Sequence, residues 1–172
     1  NPDYAYDGVA STAATVGGPI VPRSAPLTVT QVHRQNDWTN LNAIKVNDAS
    51  FATVTMYGSS SAVNKSSIIQ AKGFFTNNPI SLSATIVGIS VSVVHKHFSG
   101  TSSVYDDCRL LNLGATIPHL DGPWTFGATE TFTYGGPTDT WGGTPPTPAL
   151  LNSSDFGVDF RAECTELPGS GA

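Results

Sequence analysis

Hydrophobic and polar residues alternate along much of this chain, and a period of two is typical of β-strands. The clearest run covers residues 85–94, where one face would carry five side chains: Thr85, Val87, Ile89, Val91 and Val93. Near the carboxyl end, Val158, Phe160, Ala162 and Cys164 alternate with Asp159, Arg161 and Glu163. This second pattern predicts an antiparallel strand with one buried face and one solvated face.

Five further segments have weaker strand patterns and are separated by clusters of Gly, Pro, Asn and Ser: residues 27–32, 51–57, 67–75, 104–113 and 130–134. A single proline-initiated turn at residues 148–151 gives a weak helical signal. These elements predict an all-β fold, a single antiparallel two-sheet β-sandwich of jelly-roll type over residues 27–172. Residues 1–26 differ in composition and are predicted to form an extended N-terminal arm.

Charge and hydropathy narrow the classes of partner. The 172 residues include eight Lys and Arg, and the formal net charge is −5, so the basic surface that nucleic acid binding requires is lacking. The sequence also lacks the roughly 18 to 20 consecutive apolar residues of a membrane-spanning helix. We therefore expect neither nucleic acid nor a membrane span. The first residues, Asn1-Pro2-Asp3, fit a processed secreted protein or a trimmed start.

The two cysteines, Cys108 and Cys164, have no spacing that suggests zinc binding or redox chemistry. We predict that they form a structural disulfide, which would place the protein in an oxidising, extracellular compartment. The alternative is a pair of buried free thiols in a reducing compartment.

Seven segments carry a family resemblance, of which the last two are the most specific: residues 38–40 (WTN), 48–54 (DASFATV), 72–74 (KGF), 86–96 (IVGISVSVVHK), 104–111 (VYDDCRLL), 133–142 (TYGGPTDTWG) and 152–158 (NSSDFGV). In these segments the chain resembles the jelly-roll-like β-sandwich domains of phage structural proteins and bacterial surface or filament proteins. The resemblance implies a non-enzymatic building block. The cysteine pair and the proline-rich start depart from that family.

The segment TYGGPTDTWGG also has a physical interpretation of its own. Gly135, Gly136 and Pro137 favour a sharp turn, Asp139 is suited to cap backbone donors, and Trp141 is large enough to close one end of a core. A structural corner is the prediction. The alternative is a carbohydrate platform in which Trp124 and Trp141 present their ring faces to sugars.

The N-terminal arm is the basis of the assembly hypothesis. Its candidate contact residues are aromatic or small and apolar: Tyr4, Tyr6, Val9, Ala14, Val16, Ile20 and Val21. Residues 7–16 also share the ending Ala-Thr-Val with residues 47–54, so the arm has the composition of a native strand. We predict that it pairs with an open sheet edge of a neighbouring copy. The alternatives are that residues 9–16 form the first strand of their own domain, or that the arm is disordered.

The remaining polar residues give weaker signals. His95 and His97 share a strand face without a nearby third metal ligand, and adjacent Asp106 and Asp107 should point to opposite faces rather than share a calcium ion. Acceptor patterns for N-glycosylation occur at Asn64 and Asn152. We expect no metal, cofactor or catalytic residues.

These observations together predict a non-enzymatic subunit of an extracellular or cell-surface filament. It would polymerise head-to-tail by donating its N-terminal strand, so its partners would be copies of itself and glycans. The alternatives are a virion-surface decoration or fibre protein of a phage, and a carbohydrate-binding module.

Overall fold

A computed structural model describes residues 9–14, 26–34, 36–45, 50–56, 63–98, 103–112 and 119–165 of the chain. Within these residues the elements in chain order are strands, one 3-10 helix and one α-helical turn. They are β1 (Val9–Ala14), β2 (Thr28–Val32), the 3-10 helix (Leu41–Lys45), β3 (Asn64–Lys65), β4 (Ile68–Lys72), β5 (Ile89–Lys96), β6 (Ser103–Leu111), β7 (His119–Asp121), β8 (Thr129–Gly135), α1 (Pro148–Leu151) and β9 (Gly157–Thr165).

The strands form two sheets in which every strand pair is antiparallel. The small sheet has the order β1-β5-β8, and the large sheet has the order β2-β4-β9-β6-β7, with β3 also paired to β9. The prediction of an all-β fold built from antiparallel sheets is confirmed. The described residues include no helix that is long and apolar enough to cross a membrane.

Strand β9 lies in the middle of the large sheet and follows the predicted alternation. Val158, Phe160, Ala162 and Cys164 are buried, whereas the charged residues between them are partly exposed. The buried residues of β9 join those of β4, β5, β6 and β8 in one hydrophobic cluster. Residues from both sheets therefore share a single core.

Strand β5 begins at Ile89, four residues later than the start of the predicted run at Thr85. Gly88 explains the difference, because a Cβ atom there would lie 2.4 Å from the carbonyl oxygen of Gly136. The backbone at residue 88 thus packs directly against the turn after β8, and the ladder between the two strands starts only at Ser90 and Gly135. Val87, predicted to share the buried face, is 37% exposed.

The predicted strand over residues 51–57 is wrong in the part that the structure describes. Residues 51–56 form only an isolated antiparallel bridge between Thr53 and Thr39. The alternation of polar and apolar residues is present, but no neighbouring strand pairs along the segment. Alternation alone does not reveal whether a partner edge is available.

The glycine-rich segment after β8 forms the predicted structural corner. Trp141 is fully buried, its indole Nε1 donates to the carbonyl of Ile89 at 3.0 Å, and its backbone N–H donates to Asp139 Oδ1 at 2.6 Å. Gly135 has φ +70°, and a Cβ atom there would lie 2.3 Å from the Ile89 carbonyl oxygen. The proposed sugar platform is therefore wrong for Trp141, because its ring lies within the core.

This corner predicts a graded series of glycine substitutions. Gly135→Ala is expected to lower the free energy of unfolding by at least about 2 kcal/mol, because it adds the backbone clash to the strain of a positive φ. Gly127→Ala, at φ +75° in open space, should cost about 1 kcal/mol, and Gly136→Ala, with no atom within 4 Å, about 0.5 kcal/mol or less. Urea unfolding of the three variants measures the series. Equal losses at positions 135 and 136 would contradict the described corner.

The predicted disulfide is wrong. Cys108 and Cys164 are both buried and both free. Cys108 lies opposite Phe160 and Cys164 lies opposite Val104 in the β6–β9 ladder, so the two cysteines are separated by four positions, or about 13 Å. Disulfides need Cα atoms about 4.4 to 6.8 Å apart. Burial, together with the carboxylates of Asp106, Asp107 and Asp159, raises the pKa of the Cys108 thiol well above its usual range.

Two free, buried thiols predict indifference to reducing agents. Titration of the purified protein in denaturant should find two reactive thiols per chain, and the melting temperature should be the same with and without dithiothreitol. A melting temperature that falls on reduction would contradict the register described for β6 and β9.

Candidate functional site: the edge of strand β5 and the cavity beside it

The small sheet has β1 at one outer edge and β8 at the other. Strand β5 occupies the centre of this sheet, with β8 along one side from Ser90 to Lys96 and β1 along the other from Ile89 to Val93. The β1 register pairs Ala14 with Ile89, Ala13 with Ser90 and Thr12 with Val91, and then shifts before Val9 meets Val93. Strand β1 has no second strand partner among the described residues.

Strand β5 depends on a partner at this edge. Ile89, Val91 and Val93 are at most 2% exposed, and Ser90 and Ser92 between them are partly exposed, so the strand has one face in the core and is largely withdrawn from water. Buried amide and carbonyl groups need hydrogen-bond partners, and β1 supplies them. The contribution of β1 to this edge is its backbone pairing with β5 from Ile89 to Val93.

The described strand β1 includes two of the predicted arm residues, Val9 and Ala14. Tyr4, Tyr6, Val16, Ile20 and Val21 lie outside the described residues. In the structure β1 pairs with β5 of its own chain, which corresponds to the alternative in which residues 9–16 begin their own domain. Pairing between chains stays a prediction.

A cavity of about 180 Å³ lies beyond the point where the β1 ladder ends. Its walls are residues 51–56 and residues 93–98, and its floor consists of buried side chains from the shared core: Trp38, Ile44, Ile69, Val104, Phe160, Ala162 and Cys164. Phe98, a lining residue, is 55% exposed, so the cavity reaches the surface beside this ring. The cavity therefore has an apolar interior and an accessible mouth.

A stack of rings borders the cavity. The His95 imidazole packs on Trp124 with ring centroids 4.1 Å apart and an interplanar angle of 13°, and it also contacts Phe132 at 4.4 Å. The Trp124 indole donates to Asp106 Oδ2 at 3.1 Å. His95 covers one face of Trp124, and Phe160 stacks with Trp124 at 6.5 Å; Trp124 is partly buried, and its role as a sugar platform stays a prediction.

His95 is also placed beside a carboxylate. Its Nε2 lies 3.6 Å from Glu130 Oε2, and hydrogen bonds from Thr125, with a smaller effect of His95, lower the pKa of Glu130. His97 follows the end of β5, forms an isolated bridge with Phe126 and contacts its ring edge-on at 5.5 Å. The described residues contain no group of three or more His, Cys, Asp or Glu side chains arranged for a metal ion.

The outer face of the large sheet carries an ion-pair network. The Asp107 side chain is only 3% exposed and accepts two hydrogen bonds from Arg109. It also forms an ion pair with Arg161 at 2.8 Å. Arg161 and Lys65 both reach Glu163. Asp106 points to the opposite face, so the two aspartates do not converge on a calcium site. This network is the predicted solvated face of β9.

A serine, an aspartate and a histidine meet near the start of β4, a grouping that the sequence analysis missed. Ser67 Oγ donates to Asp37 Oδ1, and Asp37 Oδ2 lies 2.8 Å from His33 Nδ1. In a hydrolase the histidine lies between the serine and the aspartate and takes the serine proton. Here the aspartate lies in the middle and Ser67 is fully buried, so the arrangement braces the chain rather than activating a nucleophile.

The bracing role of Asp37 predicts a pH dependence. Hydrogen bonds from Ser67 and then from His33 lower the pKa of Asp37, so its stabilising effect is present above about pH 4 and is lost as the pH falls through the lowered pKa. Asp37→Asn should therefore unfold at lower urea than the native chain at pH 6, and the difference should narrow by pH 2.5. His33→Gln, which removes the smaller cause, should show a smaller difference at pH 6. If the difference in urea midpoint between the native chain and Asp37→Asn stayed constant with pH, the stabilising role of the Asp37 carboxylate would be contradicted.

The sequence predicts turns at both glycosylation patterns, which is wrong for Asn64 and confirmed for Asn152. Asn64 lies in β3 opposite Cys164. Asn152 follows α1, and its side chain accepts a hydrogen bond from the Ile80 N–H and donates one to the Ile80 carbonyl, both at 2.8 Å. A glycan on the Asn152 amide would break the second of these bonds.

Comparisons with known proteins identify no relative. No family model matches the sequence, no curated protein is detectably similar to it, and no solved structure matches its fold. The resemblance to phage and bacterial surface domains therefore stays a prediction.

Proposed function

We propose that this chain is a non-enzymatic structural subunit of an extracellular filament, built on a two-sheet β-sandwich of jelly-roll type. In this proposal neighbouring subunits are linked head-to-tail by exchange of strand β1. Two antiparallel sheets with one shared core support the sandwich. The position of β1, at the outer edge of a three-stranded sheet and against a deeply buried strand, supports the exchange.

The backbone hydrogen bonds that β1 makes to β5 of its own chain are the same bonds that it would make to β5 of another copy. When the same β1–β5 pairing is possible within one chain and between two chains, the segment that joins β1 to its own domain decides which of the two pairings forms. An exchange that passes from each chain to the next does not close on itself and generates a fibre.

The length of the connection permits either pairing. Residues 15–25 separate Ala14 from Pro26, and a fully extended chain of that length spans about 40 Å. This distance is enough to reach a domain in contact with the first. Pro19, Pro22 and the buried Pro26 favour an extended backbone over a compact turn.

A cysteine pair distinguishes pairing within a chain from pairing between chains. Ala13 and Ser90 are opposite in the β1–β5 ladder, and their Cα atoms are therefore close enough for a disulfide. We expect oxidised chains carrying both Ala13→Cys and Ser90→Cys to form a ladder of covalent oligomers. Single variants mixed after refolding should form covalent dimers that contain one chain of each kind, as seen on non-reducing gels.

The controls make the experiment decisive. The native chain, with its two buried thiols, should give no crosslinked species under the same oxidation. A chain lacking residues 1–21 should remain monomeric and form no filaments in negative stain. Crosslinked monomers alone from the double variant, or filaments from the truncated chain, would refute strand exchange.

Free cysteines favour a second candidate, a decoration or fibre protein on a phage virion. The predicted disulfide was the argument against a particle assembled inside a reducing cytoplasm, and that argument no longer applies because both thiols are free. Exchange of β1 would serve this assembly equally. Incorporation of the purified chain into an ordered lattice with a fixed, closed symmetry, instead of open filaments, would favour the virion.

A further inference from the structure

We propose that the cavity beside β5 binds a small molecule with one aromatic ring and one carboxylate. This inference concerns the cavity alone and does not depend on strand exchange. The volume of about 180 Å³ is close to that of apolar cavities of about 150 Å³ that bind benzene, so a single ring with a short substituent fits.

The interior suits a ring rather than a sugar or an ion. Three aromatic rings line the space: Trp38 and Phe160, which are buried, and Trp124, which is partly buried. Trp38 and Phe160 already contact each other at 6.2 Å, and Trp124 stacks with Phe160. Aromatic surroundings favour an additional ring in an offset or edge-on arrangement. Sugar hydroxyls would need several polar partners close to the floor, whereas the floor side chains are apolar and the polar lining side chains stand on the walls: Thr53, Thr55, His95, Lys96 and His97.

The charged side chains that line the cavity determine the sign of the charge that a ligand should carry. The described lining residues include three basic side chains, His95, Lys96 and His97, and no acidic side chain, although the whole chain has a net charge of −5. His95 is beside Glu130, so its charge is balanced when it is protonated. Lys96 contacts the Phe98 ring at 5.2 Å and forms no ion pair within the described part of the chain.

The positions of these groups orient the ligand. Lys96 is partly exposed and lies beside Phe98 at the accessible side of the cavity, whereas the aromatic floor is buried. A ring inserted toward Phe160 would leave a carboxylate near the Lys96 ammonium. Binding sites of this kind combine an apolar body with a few polar groups that fix orientation.

Phenylacetate and its neutral counterpart benzyl alcohol test this assignment on the full chain. Trp38 and Trp124 line the cavity, so titration followed by tryptophan fluorescence or by the indole N–H signals in NMR reports occupancy directly. We expect phenylacetate to bind with a Kd of about 1 mM or tighter, and benzyl alcohol to bind about tenfold more weakly.

Two variants locate the site, and a third is the matched control. Lys96→Gln should weaken phenylacetate about tenfold and leave benzyl alcohol unchanged, whereas Lys45→Gln, outside the lining, should change neither. Ala52→Phe, on the cavity wall, should weaken both ligands. Lys96→Gln leaves the wall intact and so tests the proposal even where Ala52→Phe does not fold.

The opposite results would overturn the proposal. One such result is that phenylacetate does not bind at a concentration 10-fold above the expected Kd. Another is that the two ligands bind with equal affinity. A third is that Lys96→Gln and a folded Ala52→Phe leave the affinities unchanged.

Discussion

The polar backbone of a buried strand is the constraint on which this structure depends. Strand β5 has to be apolar to complete the core, yet each of its residues carries an amide and a carbonyl that need partners. Strand β8 satisfies one edge and β1 satisfies the other. Because β1 is joined to the rest of the domain through residues 15–25, the completion of the core depends on a segment that is distant from that core in sequence.

The same constraint explains the surroundings of β5. The described β1 ladder ends at Val93, β5 continues to Lys96, and residues 93–98 line the cavity. At the other end, Ile89 is held by the corner around Trp141, whose indole binds the Ile89 carbonyl. One end of the strand is therefore closed by a buried tryptophan, and the other end remains accessible beside Phe98.

Local periodicity predicted much of the fold. The alternation at β9 identified its buried and charged faces, and the proline-initiated turn at residues 148–151 is α1. The TYGGPTDTWGG segment predicted a corner because Gly135 favours a sharp turn and Trp141 is large enough to close one end of a core. These features are local in sequence, and the residues that cause them are contiguous.

Features that depend on distant partners were not predictable in this way. The register of β6 against β9 decides that Cys108 and Cys164 are about 13 Å apart, and nothing near either cysteine encodes that register. Residues 51–56 alternate like a strand but have no edge to pair with, and the contact of Ser67 with Asp37 joins residues thirty positions apart. The cavity likewise arises from segments that are separate in sequence.

Amide hydrogen exchange along β5 tests the central claim most directly. In the full chain, the amides of residues 89–93 that face β1 should exchange as slowly as those of the β6–β9 ladder. In a chain that lacks residues 1–16, they should lose this protection while β9 keeps its own. Unchanged protection of β5 in the truncated chain would contradict the account, because it would mean that the strand does not need a partner at this edge.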